Sequence, residues 1–244
     1  MLYTGRNLEI VTLDSVRYLV TTTTSSIGTG SNAGDDTIVF PYLLGRLKAR
    51  SLVADLMSIY ADLTVLTVTI FLELIPQGEE ILRGIKDELS TVYQTEIPIL
   101  SHFHPYAKTE QTVLVLMATG VVYKDRIKID STKRKDYLYA LGLPKLSEEI
   151  INLDSMDLAK LYCIKELAQA TSIHEIIALN GQTIAQTIDY IEKTVGLQCS
   201  LEIDNEEMLS KIGQGASCLV FSSSHKVKSA DYDGIVLTYL GRMN

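Results

Sequence analysis

Residues 18–62 read YLVTTTTSSIGTGSNAGDDTIVFPYLLGRLKARSLVADLMSIYAD. A strand-like run leads into a polar loop rich in glycine, a second short strand follows, and Pro41 opens a helix. A dinucleotide-binding motif needs its glycines between a strand and the N-terminus of a helix, and a P-loop needs Gly-Lys-Ser/Thr. The order strand, loop, strand, helix therefore excludes both of these phosphate-binding motifs.

Carboxylates accompany the glycines of this loop. Asp35 and Asp36 follow Gly34, Asp55 lies on the predicted helix, and Glu73 lies at the end of the next predicted strand. Mg²⁺ prefers oxygen ligands and is usually held by one or two carboxylates together with substrate phosphates. The pattern predicts a magnesium site for nucleotide phosphates. The alternative is that Gly-Asp-Asp forms a simple turn and Asp55 is a solvated helix residue.

The helix that begins at Pro41 carries two arginines. Apolar residues recur at threes and fours up to about Ala61, which predicts a helix over this range. Arg46 and Arg50 are four residues apart and therefore share one face of it. They are candidates for phosphate binding, and the alternative is that they form a solvated face.

The remaining sequence alternates between strand and helix patterns, which change character near residue 123. It predicts an α/β or α+β chain of two domains, residues 1–123 and 124–244. Strands are predicted at 8–13, 17–22, 37–40, 63–74, 97–103, 112–122, 173–179, 197–203, 217–221 and 234–240, and 136–141 is a short apolar segment. Helices are predicted at 41–61, 76–92, 145–151, 156–170, 181–194 and 205–212.

Composition excludes several classes of function. The 244 residues carry a net charge of −8, and the basic residues are dispersed except at Lys133-Arg134-Lys135, so we expect no nucleic-acid partner. The longest apolar stretch, 63–75, is interrupted by threonines and Glu73, and the N-terminus lacks the plan of a signal peptide, so we expect no membrane segment. Three widely spaced cysteines are typical of reduced core thiols and of a cytoplasmic protein.

His102 and His104 offer a different chemistry. Two residues apart on a strand, they would point to one face and could bind Zn²⁺ together with Asp35 or Asp36. This arrangement would suit a metal-dependent hydrolase. The alternative is an exposed pair at the mouth of a loop, because no third histidine or cysteine lies nearby in the sequence.

Several short motifs are spread along the chain. They are Ser25-Ser26-Ile27-Gly28, Gly34-Asp35-Asp36-Thr37-Ile38-Val39-Phe40-Pro41, Gly45-Arg46 with Ala49-Arg50, Asp55, Lys108-Thr109-Glu110-Gln111-Thr112, and Leu141-Gly142-Leu143-Pro144-Lys145 with Glu148-Glu149. Together they resemble the aminoimidazole-ribotide synthetase-related (PurM-like) superfamily, whose members include that synthetase, thiamin-monophosphate kinase, selenophosphate synthetase and a hydrogenase maturation protein. Within it, this sequence is most similar to the α-ribazole kinase branch of cobalamin salvage.

The resemblance implies a fold and a reaction. It implies an N-terminal mixed β-sheet domain that binds ATP and dimerises through its strands, followed by a C-terminal α/β domain. It also implies ATP- and Mg²⁺-dependent phosphoryl transfer to a small nucleoside-like or vitamin-precursor substrate by a cytoplasmic homodimer. By the same resemblance Asp35, Asp36 and Asp55 would ligate the metal, Asp35, Asp55 and Arg50 would act in catalysis, and Gly28, Gly30, Gly34, Asp36, Arg46, Gln111 and Thr112 would bind the nucleotide.

The sequence departs from this superfamily at positions of the site. Thr22 or a neighbour stands where the superfamily carries a metal-binding aspartate, and Tyr60 replaces a glycine. The lysine expected after Ile-Gly is absent, and residues 102–106 replace an S-T-E-x-N segment. These departures favour a second hypothesis, a catalytically impaired homologue that binds a ligand or a partner protein.

Overall fold

The computed structural model describes residues 2–3, 6–71, 74–104 and 109–244, so Glu73 and Lys108 lie outside the described residues. The chain divides into two compact units. The first contains Met1–Leu56 and Ala61–Asp125, and the second contains Met57–Tyr60 and Arg126–Asn244.

The first unit is built on a six-stranded sheet in the order β1-β2-β3-β8-β6-β7. Neighbouring strands are antiparallel except β6 and β7, which are parallel. A separate short parallel pair, β4 and β5, lies in the glycine-rich loop. The strands are β1 (Leu2–Tyr3), β2 (Glu9–Thr12), β3 (Arg17–Ile27), β4 (Thr29–Gly30), β5 (Thr37–Ile38), β6 (Asp62–Ile70), β7 (Ile99–Phe103) and β8 (Val113–Tyr123), and the helices are α1 (Pro41–Ser58) and α2 (Glu79–Ser90).

Strand β3 is longer than the sequence pattern predicts. It continues through the threonine and serine run because it pairs with β8 without interruption, from Arg17 opposite Tyr123 to Ile27 opposite Val113. Threonine is β-branched and suits a pleated strand. Alternate residues, including Thr22, face inward and are buried. The hydroxyl run is therefore part of the sheet and not of the loop.

Helix α1 is buried on two sides. Leu56 lies towards β8, because a Cβ built on Gly120 would be 3.3 Å from a methyl group of Leu56. On its other side α1 crosses α2 at two glycines. A Cβ on Gly45 would lie 2.1 Å from the carbonyl oxygen of Ile81, and one on Gly84 would lie 2.0 Å from that of Tyr42. Glycine is therefore required at this close approach of two backbones.

The second unit contains an antiparallel sheet in the order β10-β12-β9-β13-β11. One face packs on α4 to form a core that includes Leu138, Val220, Ile184 and Ile188. The strands are β9 (Tyr137–Leu141), β10 (Ile173–Ala178), β11 (Cys199–Leu201), β12 (Leu219–Ser223) and β13 (Leu237–Met243), and the helices are α3 (Leu161–Gln169), α4 (Ile184–Val195) and α5 (Glu206–Ser210).

Two helix predictions in this unit were wrong at their boundaries. The helix predicted over 156–170 begins only at Leu161, because the preceding residues form turns in which Lys160 Nζ donates to the carbonyl oxygens of Leu153 and Ser155. The helix predicted over 145–151 is a single 3₁₀ turn, Ser147–Glu149.

The cysteines are free thiols, as the sequence predicts. Cys163 and Cys218 are buried and Cys199 is half-buried. Burial raises the pKa of the Cys163 and Cys199 thiols to about 11, so both are protonated at neutral pH. Among the described helices, none combines the length and the apolar character that a membrane crossing would need.

Candidate functional site

The glycine loop, residues 28–36, is held against the beginning of β8. Gly28 donates its N–H to the carbonyl oxygen of Thr112, and Gly34 donates to that of Glu110. Gly28 has a φ of +65°, and its own carbonyl oxygen accepts from the N–H groups of Asp36 and Thr37. The loop is therefore folded back on itself and fixed at both ends by backbone hydrogen bonds.

Asp35 is the side chain that organises this loop. Its carboxylate accepts three hydrogen bonds of 2.7 Å, from the N–H of Asn32, the N–H of Thr112 and the hydroxyl of Thr112. Gly30 lies directly beneath them, since a Cβ there would be 2.1 Å from Oγ1 of Thr112 and 2.7 Å from Oδ2 of Asp35. The sequence predicts Asp35 as a metal ligand, but the geometry gives its carboxylate a structural task.

Asp36 lies on the outer side of the loop and is exposed. Its Oδ2 accepts a long hydrogen bond of 3.3 Å from Nε2 of Gln111. A cavity of about 440 Å³ adjoins the loop and is lined by Gly34, Thr109, Glu110, Gln111 and Val113. A carboxylate and an amide that reach solvent beside a cavity can contact a polar ligand.

Asp55 contacts Thr22 between α1 and β3. The Thr22 hydroxyl donates to Oδ2 of Asp55 over 3.2 Å and accepts from Nδ2 of Asn7. Thr22 is 2% exposed and Asp55 is 8% exposed, so both are withdrawn from water. The position where the resemblance expects a second acidic residue therefore lies directly against Asp55 and is occupied by a hydroxyl.

The two arginines of α1 are directed to one buried carboxylate on α2. Arg46 Nη2 lies 2.7 Å and Arg50 Nη1 lies 3.2 Å from oxygens of Glu88, whose side chain is 1% exposed. Burial opposes the charge of the Arg46 guanidinium, but Glu88 outweighs it and raises the pKa above its ordinary value. These arginines stabilise the crossing of the two helices. Their contact with phosphate stays a prediction.

Sequence reasoning missed Glu88, although a signal for it was present. Ile81, Ile85 and Glu88 lie three or four residues apart on α2, so the glutamate falls on the same buried face as the isoleucines. An acidic residue within an apolar stripe needs a cationic partner. The arginines four residues apart on α1 could have been matched to it.

Lys48 was also missed. It lies one turn after Leu44 on α1, is half-buried, and donates from Nζ to the carbonyl oxygen of Ser25 over 3.1 Å. Burial lowers the pKa of its ammonium group. This contact covers the edge of β3 beyond the residues that pair with β2, and it places a positive charge beside the strand that leads into the glycine loop.

The predicted metal ligands are not gathered into one centre. Within the part of the chain that the structure describes, no three side chains of the histidine, cysteine, aspartate or glutamate type are grouped as a metal site. Asp35 is engaged by its three donors, Asp36 is exposed, and Asp55 pairs with Thr22. A resident three-carboxylate centre does not fit these residues. A Mg²⁺ ion that arrives bound to nucleotide phosphates needs only one or two carboxylates, and Asp36 suits it.

The histidine pair has an aromatic environment. His104 stacks on Phe71 with ring centroids 4.5 Å apart, and His102 meets His104 edge-on at 4.6 Å. The residues described around them supply no third ligand. The geometry is that of packed rings at the end of β7 and does not form the predicted zinc site.

The structure therefore separates the predicted residues into three places. The loop assembly contains Gly28, Gly30, Gly34, Asp35, Asp36, Gln111 and Thr112. Asp55 lies with Thr22, and Arg46 and Arg50 lie with Glu88.

Comparisons with known proteins identify the fold. No protein-family model and no curated protein matches the sequence. Among solved structures, thiamine monophosphate kinase from Aquifex aeolicus is 13% identical with a TM-score of 0.66, over 96% of this chain and 89% of that one. AaThiL complexed with AMPPCP and TMP is 13% identical with a TM-score of 0.66, over 98% and 84%. PurLQS from Thermotoga maritima is 13% identical with a TM-score of 0.68, over 99% and 43%.

These likenesses confirm the predicted fold class, a mixed α+β fold that this chain shares with the thiamine monophosphate kinase and PurLQS structures. At 13% identity they concern the fold alone.

Proposed function

We propose that this protein is an ATP-dependent phosphotransferase that acts on a small nucleoside-like or vitamin-precursor substrate, as an α-ribazole kinase does. The observation that supports the proposal is the glycine loop on a PurM-like fold. Hydrogen bonds from Thr112 to Asp35 fix this loop, and Asp36 and Gln111 reach solvent beside a cavity. The same fold in AaThiL is complexed with AMPPCP and TMP, which supports a nucleotide and a small phosphorylated substrate as ligands.

In this proposal each residue of the site has a defined task. Phosphoryl transfer depends mainly on positioning the phosphates and neutralising their charge. Nucleotide-bound Mg²⁺ would supply that neutralisation. Asp36 would hold the ion, Gln111 would donate its amide to a phosphate or to the substrate, and Asp35 would keep the loop in the shape that presents them. Asp55 would accept a hydrogen bond or a metal-bound water.

The domain assignment is part of the proposal. Residues 1–123 would form the ATP-binding and dimerisation domain, and residues 124–244 would form the C-terminal α/β domain. The protein would work in the cytoplasm, where a reducing environment keeps its three thiols free.

Nucleotide binding is tested by thermal unfolding with ATP and Mg²⁺. A ligand at about 100 times its dissociation constant stabilises a fold by about 2.7 kcal/mol, which raises the midpoint of a chain of this length by several degrees. We expect that increase for the unchanged protein, and we expect Asp36→Asn and Asp55→Ala to reduce it. Asp154→Asn, an exposed loop aspartate of the second unit, is the matched control and should keep the full increase.

Turnover is measured with the same preparations. The assay detects transfer of the γ-phosphoryl group from ATP to α-ribazole or to thiamine monophosphate by measuring the ADP that is released. No thermal shift at millimolar ATP and no ADP release with either substrate would contradict the proposal.

The homodimer is proposed on the exposed face of the six-stranded sheet. The register places Leu100 and Met117 opposite Thr67 on this face, and Val115 opposite Ser25. Leu100 is 65% exposed and Met117 is 41% exposed, so the face offers apolar surface for a second copy.

If the protein dimerises through this face, a charge inserted into the face should change the mass of the protein in solution. The unchanged protein should sediment at twice its chain mass of 27.0 kDa, and Met117→Glu should sediment at the single mass, because burying an unpaired carboxylate in an interface is costly. Ile151→Glu, which changes a more exposed apolar residue of the second unit, should remain dimeric. A monomeric unchanged protein, or a dimeric Met117→Glu variant, would rule out this interface.

A specific observation favours the second candidate, a catalytically impaired homologue that binds a ligand or a partner. Thr22 places a hydroxyl against Asp55, and Arg46 and Arg50 both contact the carboxylate of Glu88. A site without its second acid, whose arginines already contact a carboxylate of the protein, retains fewer groups for phosphate chemistry. This candidate predicts nucleotide binding without ADP release, and measurable turnover would exclude it.

A further inference from the structure

Five positive side chains form a basic cluster at one end of the sheet in the second unit. They come from the loop before β9, from the loop after β12 and from the end of β13. The members of this basic cluster are Lys133, Arg134, Lys135, Lys226 and Arg242.

The contacts show that these segments form one surface. Tyr137 opens β9 and pairs with Ser223 on one side and with Arg242 on the other. Its ring lies under two cations, with Cζ of Arg242 at 4.9 Å and Nζ of Lys226 at 5.7 Å from the centroid. Arg242 also donates from Nε to the carbonyl oxygen of Lys135 over 3.1 Å.

The charges of the basic cluster are not neutralised. Between residues 109 and 244, where every position is described, none of the five takes part in an ion pair, whereas Lys145, Lys193 and Lys211 each pair with a carboxylate. The two acids next to the cluster have other partners. Asp136 accepts from Nδ1 of His174 and from the N–H of Lys133, and Glu202 accepts from the Tyr239 hydroxyl.

The aromatic ring changes what the cations can do. A cation–π contact orders a lysine or arginine side chain without cancelling its charge, which a salt bridge would do. Part of the entropy cost of binding is therefore already met in the free protein. In a chain with a net charge of −8, this surface is a local positive patch that is preorganised to bind an anion.

The arrangement distinguishes between anions. Lys133, Arg134, Lys135 and Lys226 are exposed, so a single small anion held by them would stay solvated and gain little. Single-stranded nucleic acid binds by stacking bases on aromatic faces, but the face of Tyr137 is covered by the cluster's own cations. An extended chain of carboxylates can contact several separate charges at once and needs no free ring.

We propose that the basic cluster is a docking surface for an acidic segment of a partner protein, a run of aspartate and glutamate residues. The cations of Lys226 and Arg242 would form its centre, and residues 133–135 would extend it along the bound segment. Neither ATP binding nor phosphoryl transfer enters this inference.

The test measures binding of a labelled peptide of alternating aspartate and glutamate by fluorescence anisotropy at low ionic strength, using the full chain. An uncharged peptide of asparagine and glutamine and a short oligothymidylate are measured in parallel. We expect the acidic peptide to bind most tightly and to weaken as salt is added. The variant Lys226→Ala with Arg242→Ala should bind it about tenfold more weakly, since each exposed charge contact contributes up to about a fivefold change in affinity.

Matched variants separate the cluster from general charge effects. Lys193→Ala with Lys211→Ala removes the same charge from salt-bridged lysines elsewhere in the unit and should leave binding unchanged. Tyr137→Leu keeps the charge but removes the ring, and should weaken binding about threefold if cation–π contacts preorganise the cluster. If the Arg242 variant does not fold, Lys226→Glu, which changes an exposed side chain, decides the question. No binding of the acidic peptide, tighter binding of the oligonucleotide, or an equal loss in the control variant would overturn the proposal.

Discussion

Replacing Glu88 with alanine should lower the free energy of unfolding by about 3 to 5 kcal/mol, because it removes the carboxylate that Arg46 and Arg50 both contact and so breaks a buried ion pair. The Arg50 side chain is 4% exposed and lies 3.2 Å from Glu88, while Arg46 is 23% exposed and 2.7 Å away. The loss should therefore come mainly from Arg50. Urea unfolding at constant pH measures it.

Two further variants assign the effect to charge. Glu80→Ala removes a carboxylate from the same helix, but its partner Arg83 is 60% exposed, so the loss should stay below about 1 kcal/mol. Glu88→Leu combined with Arg50→Met replaces the buried pair by apolar side chains of similar size and should recover most of the stability. If Glu88→Ala proves as mild as Glu80→Ala, the arginines do not depend on Glu88 and are available to a ligand.

The contact of both arginines with Glu88 bears on the chemistry of the site. Arg46 and Arg50 share a helix face, and from the sequence that face suits phosphate binding as well as it suits solvent. Their true partner is 38 residues or more away along the chain and becomes visible only when α1 and α2 cross at Gly45 and Gly84. Helix periodicity predicted both elements, but it carries no information on which helices cross.

The glycine loop also combines features that the sequence predicts with a long-range contact that it does not predict. The sequence predicted the elements on either side of it and singled out Gly28, Gly30, Gly34 and Asp35. It did not predict that the Asp35 carboxylate would be engaged by Thr112, because that contact spans 77 residues and depends on the register of β3 against β8. The local sequence pattern identified Asp35 as a residue with a special role. Whether that role is structural or chemical depends on the long-range pairing of β3 with β8.

The extension of β3 follows from pairing as well. A run of hydroxyl residues before a glycine is typical of a loop when it is considered alone. Here β8 offers an uninterrupted partner up to Ile27, and the alternation of the strand brings Thr22 inward to Asp55. Thr22 is the last residue of the strand predicted over 17–22, and the pairing with β8 on both sides of it keeps it inside the sheet, where it contacts Asp55.

Replacing Thr22 with aspartate should make the protein responsive to Mg²⁺. The second carboxylate would lie beside Asp55 in a site that is less than a tenth exposed, so without metal the variant should lose about 3 to 5 kcal/mol of stability from the repulsion between two neighbouring carboxylates and the burial of an added charge. Millimolar Mg²⁺ should restore part of it, since an ion at about 100 times its dissociation constant contributes about 2.7 kcal/mol. The unchanged protein, with one carboxylate there, should respond far less to Mg²⁺ alone.

The pH dependence of this variant has a definite sign. Two carboxylates in one site raise the folded-state pKa of one of them above its unfolded value of about 3.9. The folded state then binds a proton more readily than the unfolded state. The loss is therefore present in full above the raised pKa and disappears as the pH falls through it towards 4. Thr22→Asn, which adds no charge, should show neither the recovery at low pH nor the response to Mg²⁺.

The result for Thr22→Asp decides between the two functions proposed for the site. If Mg²⁺ stabilises the variant and also strengthens its thermal shift with ATP, residues 22 and 55 belong to a phosphate and metal site in which the unchanged protein lacks one ligand, as an impaired homologue would. If Mg²⁺ stabilises it while the shift with ATP stays as it is in the unchanged protein, nucleotide binding relies on Asp36 and the loop, and the phosphotransferase needs no second acid. A variant as stable as the unchanged protein and indifferent to Mg²⁺ would mean that residues 22 and 55 do not share a site in solution.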